Sequence, residues 1–292
     1  MKMRPIATFS IVAYDPKREE WGVAVQSKFM AAAAVVSWAR AGAGAVATQS
    51  YANVTYGERG LAMMEGGETA EATIAALVAE DEQRGLRQVG MVDKMGRAAA
   101  YTGEDCYDWA GHIVGDGFCC QGNILVSGTV EGMAEAFVAA RQGKGELADW
   151  LVAALAAGQA AGGDKRGRQA AGVMVKRING GYGGDNEHYL DLRVDDDPQP
   201  IEKLKDLVQM HHLFFGEVDP ANLVPLTKVA GDLQVVLQKT GHYEGRVNGV
   251  FDETTRKALR ALVGAENLEE RWNGQGEMID QIVVDFLLKR FG

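Results

Sequence analysis

The chain has 292 residues, 47% hydrophobic and 24% charged, with a formal net charge of −10. That length holds one large domain plus a small one around a substantial core, in the composition range of soluble globular proteins. The negative charge excludes nucleic acid and anionic membrane as main partners; no stretch is apolar enough to span a bilayer, and the start lacks a signal peptide's apolar core, which places the chain in the cytoplasm.

Ile6 to Tyr14 alternates as a strand, Asp15-Pro16-Lys17 turns the chain, and Trp21 to Gln26 is a second strand, giving an early hairpin. Val35 to Trp38 and Gly44 to Thr48 predict two further short strands. Tyr56 to Leu61 opens a helix, and Glu68-Thr69 starts another in which Ala70, Ile74, Leu77 and Val78 recur at helical spacing. Gln88 to Asp93 and Ala98 to Thr102 read as strands. Thr129 is placed as a helix N-cap, with Met133 and Phe137 facing inward, and a second helix runs from Glu146. Strands follow at Ala170 to Val175 and Tyr189 to Val194, then a helix marked by Ile201, Leu204, Leu207 and Val208. Elements grouped in blocks give an α+β class rather than a strictly alternating α/β chain. Asp219-Pro220 and Pro225 break the pattern, so the expected domains are 1–218 and a mostly helical 219–292. Ile282, Val283, Phe286 and Leu287 make an apolar face suited to a homodimer.

Three small-residue segments carry neutral hydrogen-bonding side chains: Ala47 to Asn53, Phe118 to Leu125, and Gly158 to Gln169. Amides both donate and accept, so these segments predict one concavity lined by Gln49, Tyr51, Asn53, Gln121, Asn123, Asp164 and Arg166. Its ligand would be small and polar or amide-rich. Asp164 either receives an ammonium or positions water, or it forms an ion pair with Arg166 that pins the loop; both readings stay open. Cys106, Cys119 and Cys120 suit a reducing compartment and lack the spaced CxxC pairs of a zinc site. They either supply a thiolate with His112 as base or act as small buried hydrophobes. No metal and no cofactor is expected.

Thr8-Phe9-Ser10-Ile11-Val12-Ala13, Trp21 to Lys28, Thr48 to Asn53, Trp109-Ala110-Gly111-His112, Gln121-Gly122-Asn123 and Gly162 to Gly167 together resemble the bacterial family catalogued as domain of unknown function 1028. That resemblance covers roughly Ile6 to Phe215. It implies the N-terminal-nucleophile (Ntn) hydrolase fold, a four-layer αββα sandwich, in which the first residue of the mature chain attacks an amide carbonyl while its own α-amine acts as general base. Matching the first strand places Thr8 at the nucleophile position and Ser27 at a supporting polar position. Seven residues precede Thr8, so a free amine there requires their removal, and the third strand offers only Arg40 where a lysine is expected. Leu233-Gln234, Tyr243, Val247-Asn248-Gly249, Phe251 and Ala258-Leu259 resemble a small three-helix peptidoglycan-binding domain, with Asn248 where an Asp is usual and Asp252 where a Gly is usual. The expectation is an amide hydrolase acting on a small polar metabolite or peptide, a peptidoglycan fragment included. A non-catalytic small-ligand binding protein on the same fold is the alternative.

Overall fold

Alternation of apolar residues along the first two strands is the seed of the architecture. The computed structural model describes residues 8–292, so Ile6 and Ala7 of the expected first strand lie outside the described residues. In chain order the first unit runs β1 (Thr8–Asp15), β2 (Glu20–Ser27), α1 (Ala33–Val36), β3 (Ser37–Arg40), β4 (Gly44–Ser50), α2 (Thr55–Glu65), α3 (Ala70–Ala79), β5 (Arg87–Asp93) and β6 (Ala98–Thr102). It continues with β7 (Gly111–Gly115), β8 (Phe118–Asn123), α4 (Thr129–Ala140), α5 (Leu147–Ala160), β9 (Ala170–Arg177), β10 (His188–Val194) and the first half of α6 (Pro200–Phe215). One sheet has the order β10-β9-β2-β1-β8-β7 and the other β3-β4-β5-β6, with every pairing antiparallel.

Period-two alternation sends the side chains of β1 to two different cores. Phe9, Ile11 and Ala13 pack on Met133 and Phe137 of α4 and on Leu151 and Leu155 of α5. Val12 faces the other way and joins Val23, Val25, Ala45, Ala47 and Val92 between the sheets. Beyond the second sheet, Val46, Val89 and Met91 pack with Tyr56 and Leu61 of α2 and Ile74 and Leu77 of α3. Each fully buried large aliphatic side chain contributes about 1.5–3 kcal/mol through removal from water.

Three local expectations change. Val35 and Val36 lie in the single turn α1, and the strand begins only at Ser37; the alanines before the valines favour helix there. Gly128, at φ 91°, is the N-cap of α4, leaving Thr129 as its first helical residue. The Thr129 hydroxyl donates to Val126 O at 2.7 Å and accepts from Gly163 N at 3.2 Å. Phe118 to Asn123, read as a small-residue segment with neutral hydrogen-bonding side chains and given no secondary structure, is the strand β8, buried along its whole length.

The chain divides into two compact units, one ending at Val208 and the other Gln209–Gly292. The division falls within α6, whose apolar periodicity runs unbroken past Val208, and not at the expected Asp219. Asp219 instead caps a 3-10 turn, its carboxylate accepting from Ala221 N at 2.9 Å. The second unit contains β11 (Leu223–Pro225), α7 (Leu226–Lys239), α8 (Glu253–Ala265), β12 (Met278–Asp280) and α9 (Gln281–Phe291) around Leu233, Leu237, Leu259, Val283 and Leu287. Val283 and Leu287 are thus spent on the unit's own core, and Ile282 and Phe286 pack against it. Gln234, fully buried, accepts from Asn248 N and Gly249 N at 2.9 Å and donates to Val250 O at 3.0 Å, fixing the turn before α8.

Candidate functional site

At the Thr8 end of the two sheets the layer between them changes from apolar to polar. Thr8 heads β1 opposite Ser27 on β2 and Asn123 on β8, and its hydroxyl donates to Ser27 Oγ at 3.1 Å. Ser10 Oγ donates to Gln49 Oε1 at 2.6 Å and accepts from Gln121 Nε2 at 2.7 Å. Gln49 Nε2 reaches Gln88 Oε1 at 2.8 Å and the carbonyl of Thr8 at 3.3 Å. Gln88 Oε1 also accepts from Asn123 Nδ2 at 3.0 Å, while Gln88 Nε2 donates to Gly122 O at 2.8 Å and Thr102 Oγ1 at 3.0 Å. Thr102 Oγ1 lies 2.8 Å from His112 Nδ1 at the surface. Gly90 makes this possible, because a Cβ there would stand 2.2 Å from Gln121 Oε1.

Gln49, Gln121 and Asn123 therefore converge near Thr8, but on one another and not on an open concavity: each is at most 1% exposed. Uncharged amides can satisfy each other's donors and acceptors without the desolvation cost of a charge. The residues that complete the network, Ser10 and Gln88, escape a search for glycine-flanked amides. Their sequence signal is a polar side chain on the inward phase of an otherwise apolar strand.

Two predicted residues go elsewhere. Tyr51 is half-buried and stands edge-on to Tyr107, ring centroids 6.4 Å apart. Asn53 donates from Nδ2 to Asp81 Oδ2 at 3.0 Å, in a separate cluster with Tyr56 OH at 2.9 Å and Arg87 Nε at 2.9 Å from the same oxygen. Burial pulls the Asp81 carboxyl upward, yet the hydrogen bonds from Arg87, Asn53, Gln83 N and Tyr56 outweigh it and hold the group well below the usual carboxylate range. This cluster borders a shallow cleft of about 370 Å³ lined by Asn53, Tyr56, Arg59 and Asp81 among others.

The glycine-rich loop after α5 returns to the Thr8 end. Asp164, with no exposed side-chain surface, accepts from Arg166 Nη2 at 3.0 Å and from Lys28 N at 3.0 Å, and its other oxygen takes Arg166 N at 2.9 Å. The ion pair with Arg166 that pins the loop is formed. Lys165 N donates to Ile124 O at 3.0 Å and Gln169 N to Ser27 O at 3.1 Å, so the loop is stitched to the ends of β8 and β2. Ser50 and Ile124, directly after Gln49 and Asn123, hold φ of 64° and 55°. A β-branched residue in the left-handed region is strained, and such strain concentrates at functional sites.

Cys119 and Cys120 are buried among apolar neighbours, and Cys106 is half-buried. Burial pushes the Cys119 thiol up to about 12 and raises Cys120, so neither is a thiolate at neutral pH. Cys106 Sγ donates to Arg87 O at 3.4 Å and is also raised by burial. At the opposite end of the β1–β2 hairpin lies a charged cluster with no sequence signature. Glu20 is fully buried, with Arg177 Nη1 at 3.1 Å from Oε1 and no hydrogen-bond partner for Oε2 among the described residues. Burial pushes its carboxyl up to about 7; Arg177 and Arg18 oppose the rise, and Glu146 and Asp15 add to it. Tyr189 OH donates to Glu146, and its ring lies under the Arg177 guanidinium at 4.0 Å.

Among the described residues no helix is long and apolar enough to cross a membrane, and no group of three or more His, Cys, Asp or Glu is placed to hold a metal ion. The model of a family of unknown function, DUF1028, matches residues 8–204, and a model described as "Putative peptidoglycan binding domain" matches 213–287. The crystal structure of protein SPO2555 from Silicibacter pomeroyi, which matches the same DUF1028 model, is similar at 29% identity over 70% of this chain and 89% of that one, with a TM-score of 0.63. No curated protein matches the chain.

Proposed function

Taking as premise that the chain belongs to the DUF1028 family of unknown function, we propose that it is an Ntn-fold hydrolase cleaving the C–N bond of an amide in a small polar metabolite or peptide. Helices, sheet, sheet and helices in that order support reading the first unit as the four-layer αββα sandwich of the Ntn hydrolases. The observation that carries the reading is the setting of Thr8. It heads a central strand, its hydroxyl is 3.1 Å from Ser27 Oγ, and its carbonyl is held by Gln49, itself bonded to Ser10 and Gln88.

In this reading, removal of residues 1–7 leaves Thr8 with an α-amine, whose ordinary pKa near 8 suits a general base. The amine takes the hydroxyl proton as Oγ1 attacks the amide carbonyl, then delivers it to the leaving nitrogen. The Thr8 ester so formed is hydrolysed by water, restoring the hydroxyl. Ser27 accepts from the nucleophile's hydroxyl, and Gln49 holds the carbonyl of the same residue. The match of residues 213–287 to a peptidoglycan-binding domain model favours a cell-wall-derived peptide as substrate, met in the cytoplasm. One observation favours the second reading, a non-catalytic binding protein: Thr8 is fully buried with residues 1–7 attached.

Intact-mass measurement on protein from its native host, with a chromogenic anilide assay, tests the proposal. The expected result is a chain beginning at Thr8 that hydrolyses anilides, and a Thr8→Ala variant that does not. Full-length mass with Thr8→Ala unaffected in the assay overturns it.

A further inference from the structure

The two lysines beside Thr8 carry a consequence for what the site selects. Lys28 follows Ser27, the strand partner of Thr8, and Lys165 binds through its N–H to Ile124, the residue after Thr8's other partner, Asn123. Both are therefore placed at the same strand ends as the nucleophile. Three neighbouring charges are paired, Asp164 with Arg166 at 3.0 Å, Asp197 with Lys203 at 2.5 Å and Arg168 with Glu202 at 3.5 Å, and Asp196 accepts from Gln169 Nε2 at 2.9 Å. Lys28 Nζ and Lys165 Nζ are different. Each is exposed and donates to a single backbone carbonyl, Arg168 O at 3.2 Å and Asp108 O at 3.4 Å, and among the described residues neither forms an ion pair. In a chain of net charge −10, two exposed ammoniums outside any ion pair at one strand end offer charge and donors to an anion.

The Asp164–Arg166 pair explains why these lysines are held at that strand end. Lys28 N donates to Asp164 Oδ2 and Arg166 N to Asp164 Oδ1, so the backbones that carry Lys28 and Lys165 are clamped to one buried carboxylate. A clamped backbone loses less freedom when its side chains close on a ligand. We propose that Lys28 and Lys165 select an amide substrate that carries a carboxylate on its acyl side, the carboxylate being held by the two ammoniums while Thr8 faces the scissile carbonyl. This inference rests on the hydrolase reading for the identity of the reaction, while the anion site itself does not.

The test compares two anilides of matched size, succinyl-4-nitroanilide with its carboxylate and neutral butyryl-4-nitroanilide, on the protein in the form isolated from its host. Calorimetric titration with succinate and with succinamide runs in parallel. The expected result is a kcat/KM at least tenfold higher for the succinyl compound at low salt, carried by KM and shrinking as salt screens the lysines. Lys28→Met/Lys165→Met brings the ratio towards one and abolishes succinate binding, with circular dichroism checking that the variant is folded. Should the variant fail to fold, the same ratio measured in wild type between 20 mM and 0.5 M salt decides the matter, a salt-independent ratio counting against the proposal. Equal turnover of both anilides, or succinate binding that survives the double substitution, overturns the inference. Lysine-dependent succinate binding with neither anilide cleaved upholds the anion site and overturns the hydrolase reading; neither binding nor preference overturns the anion site alone.

Discussion

Glu20 offers the sharpest quantitative test of the structure. Its side chain has no exposed surface, one oxygen is paired with Arg177, and the other is without a hydrogen-bond partner among the described residues. In the folded chain the carboxyl is raised from 4.5 to about 7. Between those two values the folded protein keeps a proton that the unfolded chain has released. Stability must then fall as pH rises across that window and level off above about 7. At about 1.4 kcal/mol per pH unit the full span amounts to about 3 kcal/mol. Glu20→Gln keeps the acceptor for Arg177 and removes the charge. It should match wild type below pH 4.5, where Glu20 is protonated in both states, and exceed it by about 3 kcal/mol at pH 8, the Arg177 attraction being already contained in the shifted value. Urea unfolding followed by the fluorescence of Trp21, Trp38, Trp109 and Trp150, all in the first unit, gives the difference at each pH, and other titrating groups cancel in the comparison. A wild-type-minus-variant difference that stays flat from pH 5 to 8, or that favours wild type at pH 8, would refute the account of Glu20's burial.

Three further outcomes follow from the same geometry. Asp164→Asn removes the charge that holds Arg166 and should lower stability by about 2 kcal/mol in a melting experiment; an unchanged melting temperature would mean that the pair does not pin the loop. Gly90→Ala drives a Cβ to 2.2 Å from Gln121 Oε1 and 2.8 Å from Cys119 Sγ, at a cost of about 3 kcal/mol in denaturant unfolding, and wild-type stability would contradict the close approach of the sheets. Asp81→Ala strands Arg87, which is 5% exposed, and should destabilise by about 3–5 kcal/mol at pH 7. Because the Asp81 carboxyl is held low, its contribution in wild type persists at neutral pH and is lost only as pH falls below the ordinary carboxylate range.

What the sequence conveyed and what it hid have physical causes. The β1–β2 hairpin was legible because Phe9, Ile11 and Ala13 share one face and Ser10 and Val12 the other, with Asp15-Pro16 marking the turn. The helices α4 and α5 showed their 3.6-residue period in Met133, Phe137, Leu151 and Leu155. β8 was hidden because Cys119-Cys120-Gln121-Gly122-Asn123 has no apolar alternation: it is buried on both faces, and its inward amide is satisfied by Ser10, 111 residues away. The same ambiguity misplaced the pocket. An amide able to bind a ligand is equally able to bind another amide, and only the fold brings Gln49 to Gln88, 39 residues on. Asp164 and Arg166 were legible as a pair because two residues on a turn cannot move far apart. Glu20 gave no sign, since its burial depends on Arg177, Glu146 and Tyr189, which are remote in the chain.

The layer between the two sheets is built differently at its two ends. Near Thr8 it is a lattice of amide and hydroxyl bonds, whereas near Val12, Val23 and Val92 it is aliphatic, with the indole of Trp21 donating to Asp93 O. Hydrogen bonds lose strength steeply with angle, while dispersion contacts tolerate a slide of a fraction of an ångström. Under a sideways load the sheets are therefore stiff at one end and compliant at the other. Sliding one sheet on the other should cost most at Ser10, Gln49 and Gln121, and the strand ends that carry Thr8 should be displaced least.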